Sequence, residues 1–91
     1  MLVTKNNYVN ILGWMIDPNG MNLQGKELIA FAVIHGFSMC DTYCKNCENY
    51  ISEWIHESVP ETYNILDDLI EKNFILKRED SDGNRFYKSN C

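Results

Sequence analysis

The sequence lacks a long apolar run. No stretch approaches the roughly 20 apolar residues that a membrane-spanning helix needs, so we expect no membrane partner. The opening residues, MLVTKNNY, contain nothing like the apolar core of a signal peptide, so we expect no secretory leader. We therefore predict a cytoplasmic protein whose 4 cysteines are reduced.

Catalytic motifs are also lacking. The chain has no Gly-rich phosphate loop, no Ser/His or Cys/His pair at telling positions, and no basic tract interleaved with aromatic residues. Its 91 residues suffice for one modest core, and its 45% apolar content is that of a folded protein. We predict a single domain over residues 1–91 that is not an enzyme and binds no cofactor.

Basic residues are scarce overall but unevenly placed. The chain has 8 Lys and Arg against 13 Asp and Glu, a net charge of −5. Residues 72–91 hold 5 basic and 3 acidic side chains, which leaves 3 basic against 10 acidic in the rest of the chain. The C-terminal end is therefore locally basic on an acidic body. Local charge matters more than the sum for contact with phosphates.

Three cysteines, Cys40, Cys44 and Cys47, form the pattern C-x3-C-x2-C. Radical enzymes that use S-adenosylmethionine hold a [4Fe–4S] cluster with this pattern, but they resemble large partial barrels that 91 residues cannot supply. A zinc site with His56 or Cys91 as the fourth ligand fits a chain of this length better than the cluster does. However, structural zinc sites usually present two close cysteine pairs. We favour unpaired thiols and no metal.

The stretch from Tyr50 to Leu76 predicts two short helices joined by a tight turn. Ile51, Trp54 and Ile55 have the spacing of one buried helix face, which indicates a helix over about 47–56. The next helix is predicted over 59–72, and a helix-turn-helix over about 47–72 follows from the short connection.

The start and stop of that second helix carry local signals. Ser58 and Glu61 have the spacing of a capping box, and Pro60 lies in the first turn, where a missing N–H costs nothing. Asn73 is a plausible left-handed stop.

Upstream, Tyr8 to Ile16 is rich in β-branched and aromatic residues and predicts a strand. Residues 17–20, Asp-Pro-Asn-Gly, predict a turn. Asn22 can cap a helix over about 23–35 that ends at Gly36. Its middle is apolar all round, which is typical of a central helix covered on most sides.

Downstream, the segments 74–78 and 85–88 flank Ser81-Asp82-Gly83-Asn84, and Asp-Gly favours a tight hairpin turn. A hairpin directly after a helix-turn-helix is a wing, here over about 74–88. Residues 42–44 could add a brief strand. The predicted fold class is α+β: a winged helix-turn-helix with three helices, a small antiparallel sheet and a C-terminal β-hairpin wing.

Several segments together resemble a known family. The chain is similar to the winged helix-turn-helix domains of Firmicutes phages and mobile elements that act in replication initiation or as replisome organisers. The segments that carry the resemblance are YVNILGWM (8–15), LQGKELIAFAVIHGFS (23–38), NYISEW (49–54) and LIEKNFI (69–75). The resemblance covers nearly the whole chain and implies a DNA-binding protein of replication initiation or transcriptional regulation, with double-stranded DNA as its partner.

Candidate DNA contacts follow from the predicted arrangement. The N-terminal part of a recognition helix usually enters the major groove, and Lys and Arg on a wing contact phosphates. The residues expected near base edges are Ser58, Val59, Pro60, Tyr63 and Asn64. Those expected at phosphates are Lys45, Lys77, Arg78, Arg85 and Lys88.

The exposed face of the third predicted helix is acidic, and this feature opposes DNA binding. It carries Glu61, Asp67, Asp68 and Glu71, which phosphates would repel. The alternative function is a winged-helix protein–protein interaction module that does not bind DNA. That alternative predicts an exposed apolar patch beside Tyr63. A homodimer, formed through residues 8–16 or the first helix, is left open by the sequence.

Overall fold

Four helices and a small antiparallel sheet make up the described part of the chain, residues 9–38 and 42–90 of a computed structural model. This α+β architecture confirms the predicted class at the level of its secondary structure. The elements in chain order are α1 Gly13–Ile16, α2 Gly25–Ser38, β1 Cys44–Lys45, α3 Glu48–Ile55, α4 Val59–Glu71, β2 Ile75–Glu79 and β3 Arg85–Ser89.

Helix α2 is the centre of the core. Its residues 30–34 are buried one after another, because α2 contacts β3, α3 and α4. The prediction of a central helix that is apolar all round is confirmed. Its bounds differ from the prediction: Asn22 has a φ of 55° and does not begin the helix. Gly36 lies inside α2, and the added turn places the Phe37 ring 5.3 Å from that of Tyr50.

The predicted strand over residues 8–16 is wrong where the structure describes it. Residues 9–12 form no strand, and Gly13–Ile16 form α1. None of the strands in the described residues pairs with this segment, and Trp14 packs on α2 instead. Met15 is fully buried, and the Trp14 ring lies 6.0 Å from Phe31 in an edge-to-face contact. Strand propensity was overridden by this tertiary packing.

The turn predicted over residues 17–20 is confirmed. Asp17 Oδ1 accepts a hydrogen bond from the N–H of Asn19 at 2.9 Å, and its carbonyl accepts one from Gly20 at 2.8 Å. A Cβ at Gly20 would lie 2.5 Å from the Trp14 carbonyl oxygen, so only glycine lets the turn approach α1 this closely.

The two helices that follow β1 have almost the predicted bounds. Ser58 Oγ accepts a hydrogen bond from the Glu61 N–H at 3.3 Å, and Pro60 lies in the first turn of α4. Asn73 has a φ of 66°, as predicted for the residue that ends this helix. Helix α3 ends in the same way at His56, whose φ is 57°. Local capping chemistry therefore sets these boundaries.

The sheet has the order β1-β3-β2, and both pairs are antiparallel. The predicted hairpin is confirmed, with Gly83 at a φ of 83° in its turn. Side chains alternate between the two faces along β3. Tyr87 and Ser89 are buried against the helices, while Phe86 and Lys88 lie on the opposite side.

Cys44 and Cys47 form a disulfide, with Cα atoms 6.0 Å apart. The prediction of unpaired thiols is therefore wrong for this pair. Cys44 lies in β1, Cys47 immediately precedes α3, and the turn between them brings the two side chains together instead of letting them diverge. Cys40, Cys91 and residues 1–8 lie outside the described residues.

Candidate nucleic-acid interface

The first turns of α4 present the residues that were predicted to lie near base edges. Ser58, Pro60 and Asn64 are exposed, and Val59 and Tyr63 are half-buried. Pro60 has no N–H, and the N–H of Glu61 donates to the Ser58 hydroxyl. Residues of the helix start itself therefore cap this end of α4.

Tyr63 joins α4 to the tip of the hairpin. The guanidinium carbon of Arg85, the first residue of β3, lies 5.5 Å from the Tyr63 ring centroid. This cation–π contact keeps the N-terminal half of α4 beside the end of the β2–β3 hairpin. The two parts that sequence reasoning assigned to base edges and phosphates are therefore neighbours.

Arg85 itself is engaged by a buried carboxylate. Its Nε donates to Glu48 Oε2 at 2.6 Å, and a second guanidinium nitrogen lies 3.4 Å from Oε1. Glu48 is only 2% exposed and also accepts a hydrogen bond from the Tyr87 hydroxyl at 2.6 Å. Arg85 neutralises an interior charge and so differs from the other predicted phosphate contacts.

The surroundings of Glu48 set the protonation of this group. Burial alone would raise the pKa of Glu48, but hydrogen bonds from Arg85 and Tyr87 outweigh it and hold the pKa below its usual value of 4.5. Burial and the neighbouring carboxylate both raise the pKa of Tyr87. At neutral pH the three side chains are therefore an anion, a cation and a neutral phenol that donates a hydrogen bond to the anion.

Three of the six other described Lys and Arg side chains are also paired with carboxylates. Lys26 pairs with Glu57, and Lys72 Nζ lies 2.8 Å from Glu27 Oε1. On the hairpin, Lys77 Nζ lies 3.8 Å from the carboxylate of Glu79. These pairs neutralise the helical body and one edge of the sheet.

Three cations remain without an ion pair among the described residues, namely Lys45, Arg78 and Lys88. All three lie on the side of the sheet that faces away from the helices. Strand register places Lys45 and Arg78 on either side of Phe86, and Lys88 two residues along from it. We call this surface the outer face; it consists of Tyr43, Lys45, Leu76, Arg78, Phe86 and Lys88.

Aromatic rings lie beneath two of these cations, Arg78 and Lys88. The Arg78 guanidinium carbon is 4.5 Å from the Phe86 ring centroid and 5.0 Å from that of Tyr43. Lys88 Nζ lies 5.2 Å from the Tyr43 ring centroid. The outer face therefore combines positive charge with two half-exposed rings.

The acidic side of α4 is exposed, as the sequence suggested. Glu61, Asp67, Asp68 and Glu71 all face solvent. Asp67, Asp68 and Glu71 lie beyond the first two turns, whereas Glu61 lies within the first turn. Any phosphate backbone has to avoid this side, which leaves the helix start and the sheet as approaches.

No family model matches this chain, and neither the curated proteins nor the solved structures include a match. Within residues 9–38 and 42–90, no helix is long and apolar enough to cross a membrane. The same residues contain no cluster of three His, Cys, Asp or Glu side chains in the arrangement of a metal site.

Sequence reasoning missed Tyr43, Phe86 and Glu48. The alternation of Arg85-Phe86-Tyr87-Lys88 could have placed Phe86 and Lys88 on one face of a strand. No local signal could have paired Glu48 with Arg85, since the two residues are 37 positions apart in the chain.

Proposed function

We propose that this chain is a winged-helix DNA-binding module that acts in replication initiation or transcriptional regulation for a phage or mobile element. In this proposal α2, α3 and α4 are the three helices, and the β2–β3 hairpin is the wing. The proposal keeps the resemblance described above, with α1 in place of the expected first strand.

The observation that carries the proposal is the placement of the cations without ion pairs. A chain with a net charge of −5 has little positive charge to spare, and carboxylates neutralise most of it on the body. Of the cations that the structure describes, Lys45, Arg78 and Lys88 are left without an ion pair, and they lie on one face where they can replace counterions on phosphates. Lys77 and Arg85 are weaker candidates because each has a carboxylate partner.

The start of α4 supplies the second element of the proposed interface. Ser58, Pro60 and Asn64 are exposed there, and the contact between Tyr63 and Arg85 places them beside the wing. The proposal therefore requires a duplex to reach round the edge of the hairpin, with its phosphates on the outer face and the first turns of α4 in its major groove. Because phosphates repel the acidic later turns, α4 enters the groove only with its first turns, and only these lie near the bases.

The test is fluorescence anisotropy of the purified protein with random-sequence duplex DNA over a range of salt concentrations. We expect binding at low salt that weakens steeply as salt increases. Replacing Arg78 and Lys88 by Gln should lower the magnitude of the log–log salt slope by nearly 2, at about 0.9 per phosphate contact. Arg85 is left unchanged in this test because its loss would disturb the fold.

The matched control is Lys26→Gln/Lys72→Gln, which removes the same charge from two residues that are already ion-paired. We expect this variant to keep most of the salt slope. Absence of binding at low salt would refute the proposal. Equal weakening by the two double variants would show that only net charge matters and would refute the assigned interface.

A second candidate function is a protein–protein interaction module that does not bind DNA. The observation in its favour is the apolar surface around α1, where Ile11, Leu12, Trp14 and Ile16 are exposed. The exposed apolar patch expected beside Tyr63 is missing from the described residues: none of their large exposed apolar side chains lies on α4. If the protein fails to bind DNA, sedimentation analysis of Trp14→Ser against the parent protein tests whether α1 mediates association.

A further inference from the structure

The outer face carries aromatic rings as well as cations, and contacts with phosphates alone would not require the rings. It combines the rings of Tyr43 and Phe86 with the cations of Lys45, Arg78 and Lys88, and strand register keeps Glu79 on the opposite side. Asp80, which directly follows β2, is engaged within the hairpin turn, and its hydrogen bonds with Asn84 together with the nearby charge of Lys45 lower its pKa. Its carboxylate accepts hydrogen bonds from the Asn84 side chain and from the N–H groups of Asp82 and Asn84.

The two rings and the guanidinium form one ordered group. The ring centroids of Tyr43 and Phe86 are 6.4 Å apart with planes 87° apart, and Arg78 lies close to both rings. Both rings are half-buried, so the sheet holds them in place while part of each remains accessible. Little ordering is then required when a flat ligand arrives.

Aromatic rings beside free cations match one class of ligand better than others. In a duplex, the flat surfaces of the bases are covered by their neighbours and cannot reach a protein ring. In a single strand, bases can stack on aromatic side chains or on an arginine plane while cations contact the backbone. An acidic peptide would use the cations but would leave the rings without a specific role.

We propose that the outer face binds unpaired bases of a single-stranded nucleic acid, with Tyr43, Phe86 and Arg78 as the stacking surface. Lys45 and Lys88 contact the flanking phosphates. The inference rests on the proposed nucleic-acid function, but it uses the sheet and does not involve α4. Alternate strand residues are about 7 Å apart and neighbouring strands about 4.8 Å apart, so the face holds about two or three nucleotides.

The decisive experiment compares strands that differ only in having bases. Anisotropy is measured with labelled oligothymidylate, with an abasic strand of equal length, and with a duplex. We expect oligothymidylate to bind about tenfold more tightly than the abasic strand, within the range for stacking of one base. Oligouridylate, measured in parallel, distinguishes RNA from DNA as the source of the strand, and base-dependent binding to either one supports the proposal.

Variants then locate the effect. Phe86→Leu and Tyr43→Leu keep apolar volume but remove a ring, and each should bring the ratio of the two affinities close to one. Both should leave the affinity for abasic strand and duplex within about twofold of the parent. The control is Phe37→Leu, which makes the same change at an exposed ring of α2 outside the outer face and should keep the ratio. Thermal unfolding checks that each variant is folded.

The outcomes separate this inference from the proposed function. If the parent protein binds oligothymidylate and the abasic strand equally, the stacking site is refuted whether or not the duplex binds. If polyaspartate competes as well as oligothymidylate does, the face belongs to an acidic protein. If the base-dependent ratio is present but the duplex does not bind, the single-strand site stands and the winged-helix proposal fails.

Discussion

Arg85 Nε donates to Oε2 of Glu48 across a distance of 2.6 Å, and this contact joins the hairpin to the first turn of α3. The carboxylate is buried, and the Tyr87 hydroxyl donates to the same oxygen. A group predicted to contact DNA is therefore a structural element of the fold. Because Arg85 stabilises the fold, replacing it tests stability and not DNA binding. The first two predictions therefore concern stability.

Arg85→Ala should lower the free energy of unfolding by about 3 kcal/mol, because it leaves Glu48 buried without its cation. This is the lower end of the range for buried pairs, and it applies because the Arg85 side chain is itself 30% exposed. Urea unfolding followed by circular dichroism measures the change. Arg78→Ala, which removes an exposed arginine without a carboxylate partner among the described residues, is the control and should cost about 1 kcal/mol or less through its lost ring contacts. Equal losses in the two variants would contradict the assigned role.

The pH dependence of stability should carry the signature of Glu48. The folded protein holds the pKa of this carboxyl below 4.5, so the unfolded chain binds the proton more readily. The contribution is then fully present above about pH 4.5 and is lost as the pH falls through the lower, folded value. Urea unfolding between about pH 3 and pH 7 measures it. In Glu48→Gln this part of the acid destabilisation should disappear, and an unchanged pH profile would refute the assignment.

Reduction of the Cys44–Cys47 disulfide should lower the free energy of unfolding only modestly. The bond closes a loop of 4 residues, for which loop-closure entropy predicts about 2 kcal/mol. Urea unfolding with and without a reductant tests this. The reference is Cys44→Ser/Cys47→Ser, whose stability should not respond to the reductant through this pair. Mass spectrometry after alkylation without reduction should find Cys44 and Cys47 unmodified, and labelling of both would show that the bond is absent.

Gly20→Ala should destabilise the turn before α2 by about 1–3 kcal/mol, the usual cost of forcing an extra group into a packed site. Its Cβ would lie 2.5 Å from the Trp14 carbonyl oxygen, a backbone atom that cannot move without displacing α1. Gly13→Ala adds the same methyl where no atom lies within 4 Å, so it should be neutral or slightly stabilising. Thermal unfolding of the two variants gives the comparison, and similar melting temperatures would contradict the close approach.

Local chemistry made several features of this fold predictable. The cap at Ser58, the left-handed stop at Asn73 and the glycine of the hairpin turn each depend on residues within four positions of one another. The apolar run in the middle of α2 predicted a helix covered on several sides, and its neighbours are a strand and two helices. The candidate residues at the start of α4 were found by the same local signals.

The sequence-based predictions failed where contacts between residues far apart in the chain determine the structure. Strand propensity in residues 9–16 was overridden, because Trp14 packs on α2, Met15 is buried in the core, and no strand of the described residues pairs with them. The exposed charges of the β2–β3 hairpin also look alike in sequence. Only the fold separates Arg85, which a buried carboxylate engages, from Arg78, which lies over two rings.

The sequence by itself therefore determined the helices from residue 48 onward, the turns and the hairpin, because capping and turn geometry act over a few bonds. It also determined the excess of acid over base. Tertiary structure decided which of the described cations remain without a carboxylate partner, since three of the four ion pairs join residues that are 31 to 45 positions apart in the chain. For the same reason, only the register of β1, β2 and β3 placed Tyr43 and Phe86 beside the cations of the outer face.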